Sequence, residues 1–203
     1  MRISPLIVLF TGFIAALPRP LSADETGGVR CWRVEEPTTR LEWTANWAGT
    51  AIHGGFSHFA ARIRFSPEAL EDSSIVVHVP LAALVTEDPD VRELLTGDEW
   101  FAPDRFPEAV YESARIRSSG DGRYHAEGTL TLKGVRRPLG LDFTLIVHGD
   151  RARAEGGTVI DRRVFGVGGG ELDAATAPEV TVGFSMEAKA TDCADREAGG
   201  GKG

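Results

Sequence analysis

Apolar and polar residues alternate with a period of two along much of this chain, most clearly over residues 123–148. One run puts Tyr124, Ala126, Gly128, Leu130 and Leu132 on a common side, and the next does the same with Leu139, Leu141, Phe143, Leu145 and Val147. A period of two buries one face only, as a strand of an antiparallel sheet does. Between the runs, Lys133-Gly134-Val135-Arg136-Arg137-Pro138 supplies a glycine for an unusual backbone angle and a proline expected to end ladder pairing. The segment predicts a long hairpin with a basic tip.

The same pattern recurs on both sides of this hairpin. Strands are predicted over residues 31–35 and 40–47, with Leu41, Trp43, Ala45 and Trp47 on one face of the second. Gly49-Thr50 and Gly54-Gly55 are expected to mark a turn and the start of the next strand, which runs over 56–65 with Phe59, Ala61, Ile63 and Phe65 inward. After a turn at Ser66-Pro67-Glu68, further strands are expected at 74–81, 109–116, 152–164 (bent at Gly156-Gly157) and 179–188, the last with Val180, Val182, Phe184 and Met186 inward. One helix stands out over 88–95: Asp88 can cap it, Pro89 suits its first position, and Gly97 closes it. Short one-sided strands with few helices argue for an all-β antiparallel barrel or sandwich.

The first residues change the picture of where this barrel works. Met1-Arg2, the apolar run from Leu6 to Leu17 and the small residue Ala23 have the layout of a secretory signal peptide, cleaved after Ala23. The expected organisation is a signal peptide over 1–23, one domain over 24–194 and a glycine-rich tail over 195–203. The net charge of −8 becomes more negative once Arg2 and Arg19 leave, so nucleic acid is not an expected partner. Cys31 and Cys193, an even pair in an exported chain, are a disulfide candidate that would fasten barrel closure if the first and last strands pair; the alternative is two unpaired thiols.

Gly128-Thr129-Leu130-Thr131-Leu132-Lys133-Gly134-Val135 followed by Pro138 resembles the G-x-L-T-x-x-G-V-x-x-P hairpin of YceI-like proteins. Further blocks agree in order: Thr86 with the acidic helix, Trp100-Phe101 with Phe106-Pro107 and Tyr111-Glu112-Ser113, and Asp161-Arg162 with Phe165-Gly166-Val167-Gly168. The chain departs from the family pattern at Val164, where an Asp is usual, and in the 41–47 segment, which lacks the usual His. The resemblance implies a lipocalin-like antiparallel β-barrel of about eight strands with one short helix. It also implies export to the periplasm and binding of a polyisoprenoid such as a prenyl quinone or prenyl phosphate.

Signs of catalysis are few. The five histidines share no metal-ligand spacing, and Ser57-His58, adjacent in a strand, would put their side chains on opposite faces. The acidic cluster of Glu87, Asp88, Asp90, Asp98 and Glu99 is explained by helix capping. No catalytic residue, metal site or cofactor is expected, a bound isoprenoid or other lipid apart. The candidate ligand-binding residues are Trp43, Trp47, Phe59, Val77, Val79, Tyr111, Leu141, Phe143, Phe184 and Met186 inside the barrel, with Trp100, Phe101 and Phe106 at its mouth. Lys133, Arg136 and Arg137 are candidates to meet an anionic head group. The expected function is sequestering or carrying a lipid-like small molecule. Two alternatives stay open: a barrel filled by its own side chains that serves a membrane-protein partner such as a b-type cytochrome, and a small-molecule hydrolase or isomerase. Monomer and dimer are equally compatible with the sequence.

Overall fold

The structure, a computed structural model, describes residues 28–193; the expected signal peptide and the glycine-rich tail lie outside the described residues. The elements in chain order are β1 (Cys31–Val34), β2 (Arg40–Trp47), β3 (Thr50–Phe56), β4 (Ala60–Arg64), β5 (Ser74–Pro80), β6 (Leu84–Thr86) and α1 (Pro89–Thr96). They continue as β7 (Glu108–Gly120), β8 (Arg123–Leu132), β9 (Val135–His148), β10 (Arg151–Asp161) and β11 (Glu179–Thr191). Three pairs of short strands, β1 with β2, β3 with β4 and β5 with β6, each form one bent ribbon. Together with β7 to β11 they make a closed antiparallel barrel of eight ribbons in which chain neighbours are sheet neighbours. Closure comes from β11, which pairs with β2 over Thr181–Ser185 and with β1 over Ala188–Thr191. Cys31 and Cys193 are bonded beside that seam, across a sequence separation of 162.

Local chemistry accounts for where the ribbons bend. The expected strand over 56–65 is broken after Phe56, and Gly54 and Gly55 lie inside β3 rather than at its start. Gly54 pairs with Trp43, whose indole lies so close over it that any Cβ there would overlap the ring. In β7 the register with β8 slips between Ser113 and Arg115, leaving Ala114 as a bulge. The slip shifts the inward parity by one residue, so that Tyr111 and Ile116 are both buried.

The β8–β9 hairpin is tighter than expected. Its turn is only Lys133-Gly134, with φ of 50° and 75°, the conformation of a two-residue hairpin turn matched to strand twist. Pro138 does not end the ladder; it sits in β9 opposite Thr129. The reason lies on the other side of β9, where pairing with β10 stops at Asp142 and Gly157. Pro138 therefore occupies an open edge, the place where a strand tolerates a missing N–H. Above Gly157 the two strands are bridged instead by the Thr158 hydroxyl, which donates to the Gly140 carbonyl at 2.8 Å.

The barrel end that carries the disulfide is nearly filled, with a residual cavity of about 30 Å³ beside Trp32, Phe65 and Ala188. Phe65 packs edge-on against Tyr124 (5.1 Å between centroids) and Phe143 (6.0 Å), and those two rings stack at 5.4 Å. Trp32 joins them and donates its Nε1–H to the Phe65 carbonyl at 2.8 Å. Each such ring pair adds about 0.5–1.5 kcal/mol beyond its buried area. Ala126, Ala152 and Ala188 complete this cluster, leaving room on the wall for the rings.

Candidate functional site

Toward the other end the wall continues but the filling does not. A cavity of about 240 Å³ extends from Ile63, Ile75 and Phe143, at the edge of the aromatic plug, up to Trp43, Leu95 and Phe101. A single water needs about 10–15 Å³ of such space, so the cavity has room for an extended chain of atoms. Its wall is almost wholly hydrocarbon: the inward residues of nearly every ribbon, set there by the period of two. Val180, Val182, Phe184 and Met186 of β11 face inward yet are only half-buried, because they border free space rather than packed neighbours.

A lid covers this end. It consists of α1, the aromatic connection that follows it, and the glycine-rich loop after β10. Asp88 caps α1 by accepting from the Asp90 N–H at 2.9 Å, as expected, and Gly97 ends it. The connection brings Trp100 and Phe101 to the cavity, Phe101 edge-on to Phe56 at 6.4 Å. The loop is tied down at three places: the Gly168 N–H donates to the Glu99 carbonyl (2.8 Å), Lys133 Nζ donates to the Gly166 carbonyl (2.9 Å), and Arg162 holds it from within.

Arg162 is the charged residue on the cavity wall among the described residues, and its side chain is 4% exposed. All of its N–H groups are used. Nε donates to the Ala177 carbonyl (3.0 Å), Nη1 to the Val167 carbonyl (2.9 Å) and the Asp173 carboxylate (2.6 Å), and Nη2 to the carbonyls of Asp173 (3.2 Å) and Thr176 (2.7 Å). Its guanidinium lies 5.4 Å from the Trp100 ring. The charge is thus neutralised by a carboxylate and four carbonyls, and it pins the loop from Val167 to Ala177 over the barrel end. Tyr111, a further polar group deep in the wall, donates its hydroxyl to the Ala126 carbonyl at 2.9 Å, and burial pushes its phenol up to about 12.

Of the expected ligand-binding residues, all line this cavity except Trp47 and Phe106. Trp47 ends β2 at the rim, 44% exposed and bridged to Thr176, three residues beyond Thr44, where β2 stops pairing with β11. Phe106 packs outside on the β8–β9 turn at Gly134, with the Arg105 guanidinium 5.3 Å from its ring. The basic residues of the hairpin do not converge. Arg136 and Arg137 lie in β9 rather than in the turn, and Arg136 pairs with Glu112 at 3.2 Å on the outer surface. Lys133 is engaged by the loop carbonyl, and its pKa is lowered first by desolvation and then by the Arg105 charge. Ser57 and His58 are hydrogen-bonded at 3.2 Å rather than on opposite faces, since the strand is broken there; the pair is exposed and outside the barrel. Among the described residues no group of three or more His, Cys, Asp or Glu is placed to hold a metal ion.

Leu139 and Val182 are read as inward from the sequence but not as ligand-binding residues, and Arg162 and Ile160 are not read as lining the cavity. A signal was present: Thr158, Ile160 and Arg162 share the inward parity of β10.

Comparisons with known proteins agree with this architecture. The YceI-like domain model matches residues 32–188. A UPF0312 protein of Photorhabdus laumondii is 26% identical over 98 residues, covering 48% of this chain and 50% of that one, so the chain spans about half the length of this curated relative. The crystal structure of Burkholderia cenocepacia BcnA superposes with a TM-score of 0.73 at 24% identity, covering 76% of this chain and 99% of that one. A polyisoprenoid binding domain from Saccharophagus degradans, implicated in plant cell wall breakdown, superposes with a TM-score of 0.62 at 12% identity, covering 80% and 99%. At these identities the solved structures share the fold. The family match spans most of the chain, and the chain belongs to the YceI-like family.

Proposed function

We propose that this protein is an exported carrier that takes a long, slender apolar molecule of polyisoprenoid type into the hollow half of its barrel. The observation that carries this reading is the cavity itself, with a hydrocarbon wall running from the aromatic plug to the lid. Each Å² of apolar ligand surface withdrawn from water there is worth roughly 25 cal/mol before the costs of association. Affinity should therefore grow with chain length up to the length of the cavity. The polyisoprenoid binding domain of Saccharophagus degradans, with the same fold, supports this class of ligand. Work in the periplasm or outside the cell is supported by the Cys31–Cys193 bond, which persists in an oxidising compartment.

A barrel serving only as a protein partner would have its interior filled by its own side chains, and this interior is close to filled at one end only. A hydrolase or isomerase working inside the barrel would need an acid or base on the wall. Among the described residues the wall carries neither carboxylate nor imidazole. The carrier reading assigns the barrel no chemical step.

The test is to block the cavity. Val182, on the wall opposite Trp43 in the β11–β2 ladder, is replaced by Trp, and stripped wild-type and V182W protein are titrated with a prenyl quinone. Binding in the micromolar range or tighter by the wild type, lost in a variant with an intact melting transition, is the expected result. Equal binding by both would place the ligand elsewhere and refute the reading.

A further inference from the structure

A floor one side chain thick divides the barrel interior. Ile63, Ile75, Phe143 and Met186 line the large cavity, and the same four side chains line the residual cavity of about 30 Å³ beneath it. Phe143 is the fixed member of this floor. Its ring stacks on Tyr124 at 5.4 Å and meets Phe65 edge-on at 6.0 Å. Its neighbour in the β9–β10 ladder is Gly156, and the β10 backbone lies so close there that any Cβ would overlap the root of the Phe143 side chain. Met186, opposite Ala154 in the β10–β11 ladder, is the adaptable member, an unbranched thioether that fills irregular space. Below the floor the wall narrows to small residues, Ala152, Ala154 and Ala188, around Trp32 and Phe65.

We propose that Phe143 and Met186 form a chain-length stop: the barrel encloses roughly ten carbon atoms of its ligand's apolar chain, and atoms beyond that number add no affinity. This inference rests on the carrier reading above and sets its limit. The size comes from the space above the floor. An engineered protein cavity of about 150 Å³ takes one benzene ring. On that scale a cavity of about 240 Å³ takes roughly ten carbons in line, well short of a whole long prenyl chain. To pass the floor, a chain would have to drive the Phe143 ring out of its contacts with Tyr124 and Phe65. The space below is about 30 Å³, far less than the roughly 150 Å³ that one ring occupies, so the ring has nowhere to go. A longer ligand therefore keeps its remaining length toward the lid, where the apolar area withdrawn from water stops growing.

The test is a series of linear alcohols (hexanol, octanol, decanol, dodecanol and tetradecanol) titrated calorimetrically into stripped wild-type, F143L and M186A protein. Each added methylene that is buried multiplies affinity by about fourfold. The wild type should climb at that slope as far as decanol, then gain less than about twofold in all from dodecanol to tetradecanol. Trimming either side chain joins the two spaces, so the climb should run on to dodecanol or beyond in at least one variant with an intact melting transition. Met1 and Met186 are the methionines of the chain, so labelling methionine methyl groups with carbon-13 gives the floor its own NMR signal, assigned by its loss in M186A. That signal should move when decanol binds. A wild-type climb that keeps its slope through tetradecanol overturns the inference and leaves the carrier reading standing. A Met186 signal unmoved by bound decanol, or a plateau at the same alcohol in the folded variants, overturns it as well. Failure of every alcohol and of a prenyl quinone to bind removes the carrier reading itself. The wild-type slope and the methyl signal need no folded variant, so poor folding of F143L or M186A does not protect the proposal.

Discussion

Removing the Arg162 guanidinium should unfasten the lid and weaken the whole barrel. Consider Arg162→Met, which keeps a straight apolar stem of similar reach. Replacing a buried ion pair wholesale with apolar groups is often neutral or stabilising. Here only one member leaves, and the four carbonyls of Val167, Asp173, Thr176 and Ala177 lose their donor together with the Asp173 carboxylate. Breaking a buried pair from one side costs about 3–5 kcal/mol. Asp173 is 42% exposed and can be rehydrated, which places the effect near the lower end, about 3 kcal/mol. For a domain of this size that is roughly 6–12 °C in Tm. Arg162→Lys keeps the charge but not the planar fork, and should recover less than half of the loss. Urea unfolding gives the stability, and amide exchange reports on the loop from Gly166 to Thr176. If R162M lies within about 1 kcal/mol of wild type with loop protection unchanged, the latch is not what holds the lid.

Two further outcomes follow from the same geometry. Replacing Cys31 and Cys193 by Ser should lower stability by about 3–5 kcal/mol, the upper part of the range because the bond closes a loop of 162 residues; a loss under 1 kcal/mol in urea unfolding would show that β1–β11 pairing alone secures closure. Tyr111 gives a pH dependence with a definite sign. Its folded pKa is pushed up to about 12 by burial, so the unfolded chain loses this proton first, near its ordinary value of 10.0. The stability it contributes is complete below pH 10 and drains away toward pH 12, by roughly 2–3 kcal/mol. Tyr111→Phe should flatten that slope in unfolding curves, and an identical slope in the variant would refute the assignment.

How much of this was legible in the sequence depends on how local the cause is. The period of two placed the inward residues of β2, β5, β8, β9 and β11 on the correct face, and Asp88, Pro89 and Gly97 bounded α1, because alternation and capping act within a few residues. The tolerance of Pro138 was not legible, since it depends on where β10 stops pairing, which is a property of another strand. Gly54 and Gly55 looked like punctuation and instead sit inside β3, Gly54 beneath the Trp43 indole and Gly55 against the Leu41 carbonyl, contacts made across the sheet. Trp47 shared the inward parity of Trp43, yet parity does not say where the wall ends. Arg162 is the sharpest case. Its parity pointed inward, but burying a guanidinium is tolerable only because a loop returning from Val167 to Ala177 brings a carboxylate and four carbonyls to it. The hollow itself was not legible either, because the same inward residues would line a cavity or fill a core, depending on how closely the ribbons approach.

The most direct test of the carrier reading is native mass spectrometry of the purified protein, followed by organic extraction and identification of what is released. The account predicts a mass above that of the polypeptide by one lipid-sized neutral molecule, lost on denaturation and recovered as a long apolar chain. A polypeptide-only mass that stays unchanged after incubation with a prenyl quinone would contradict it.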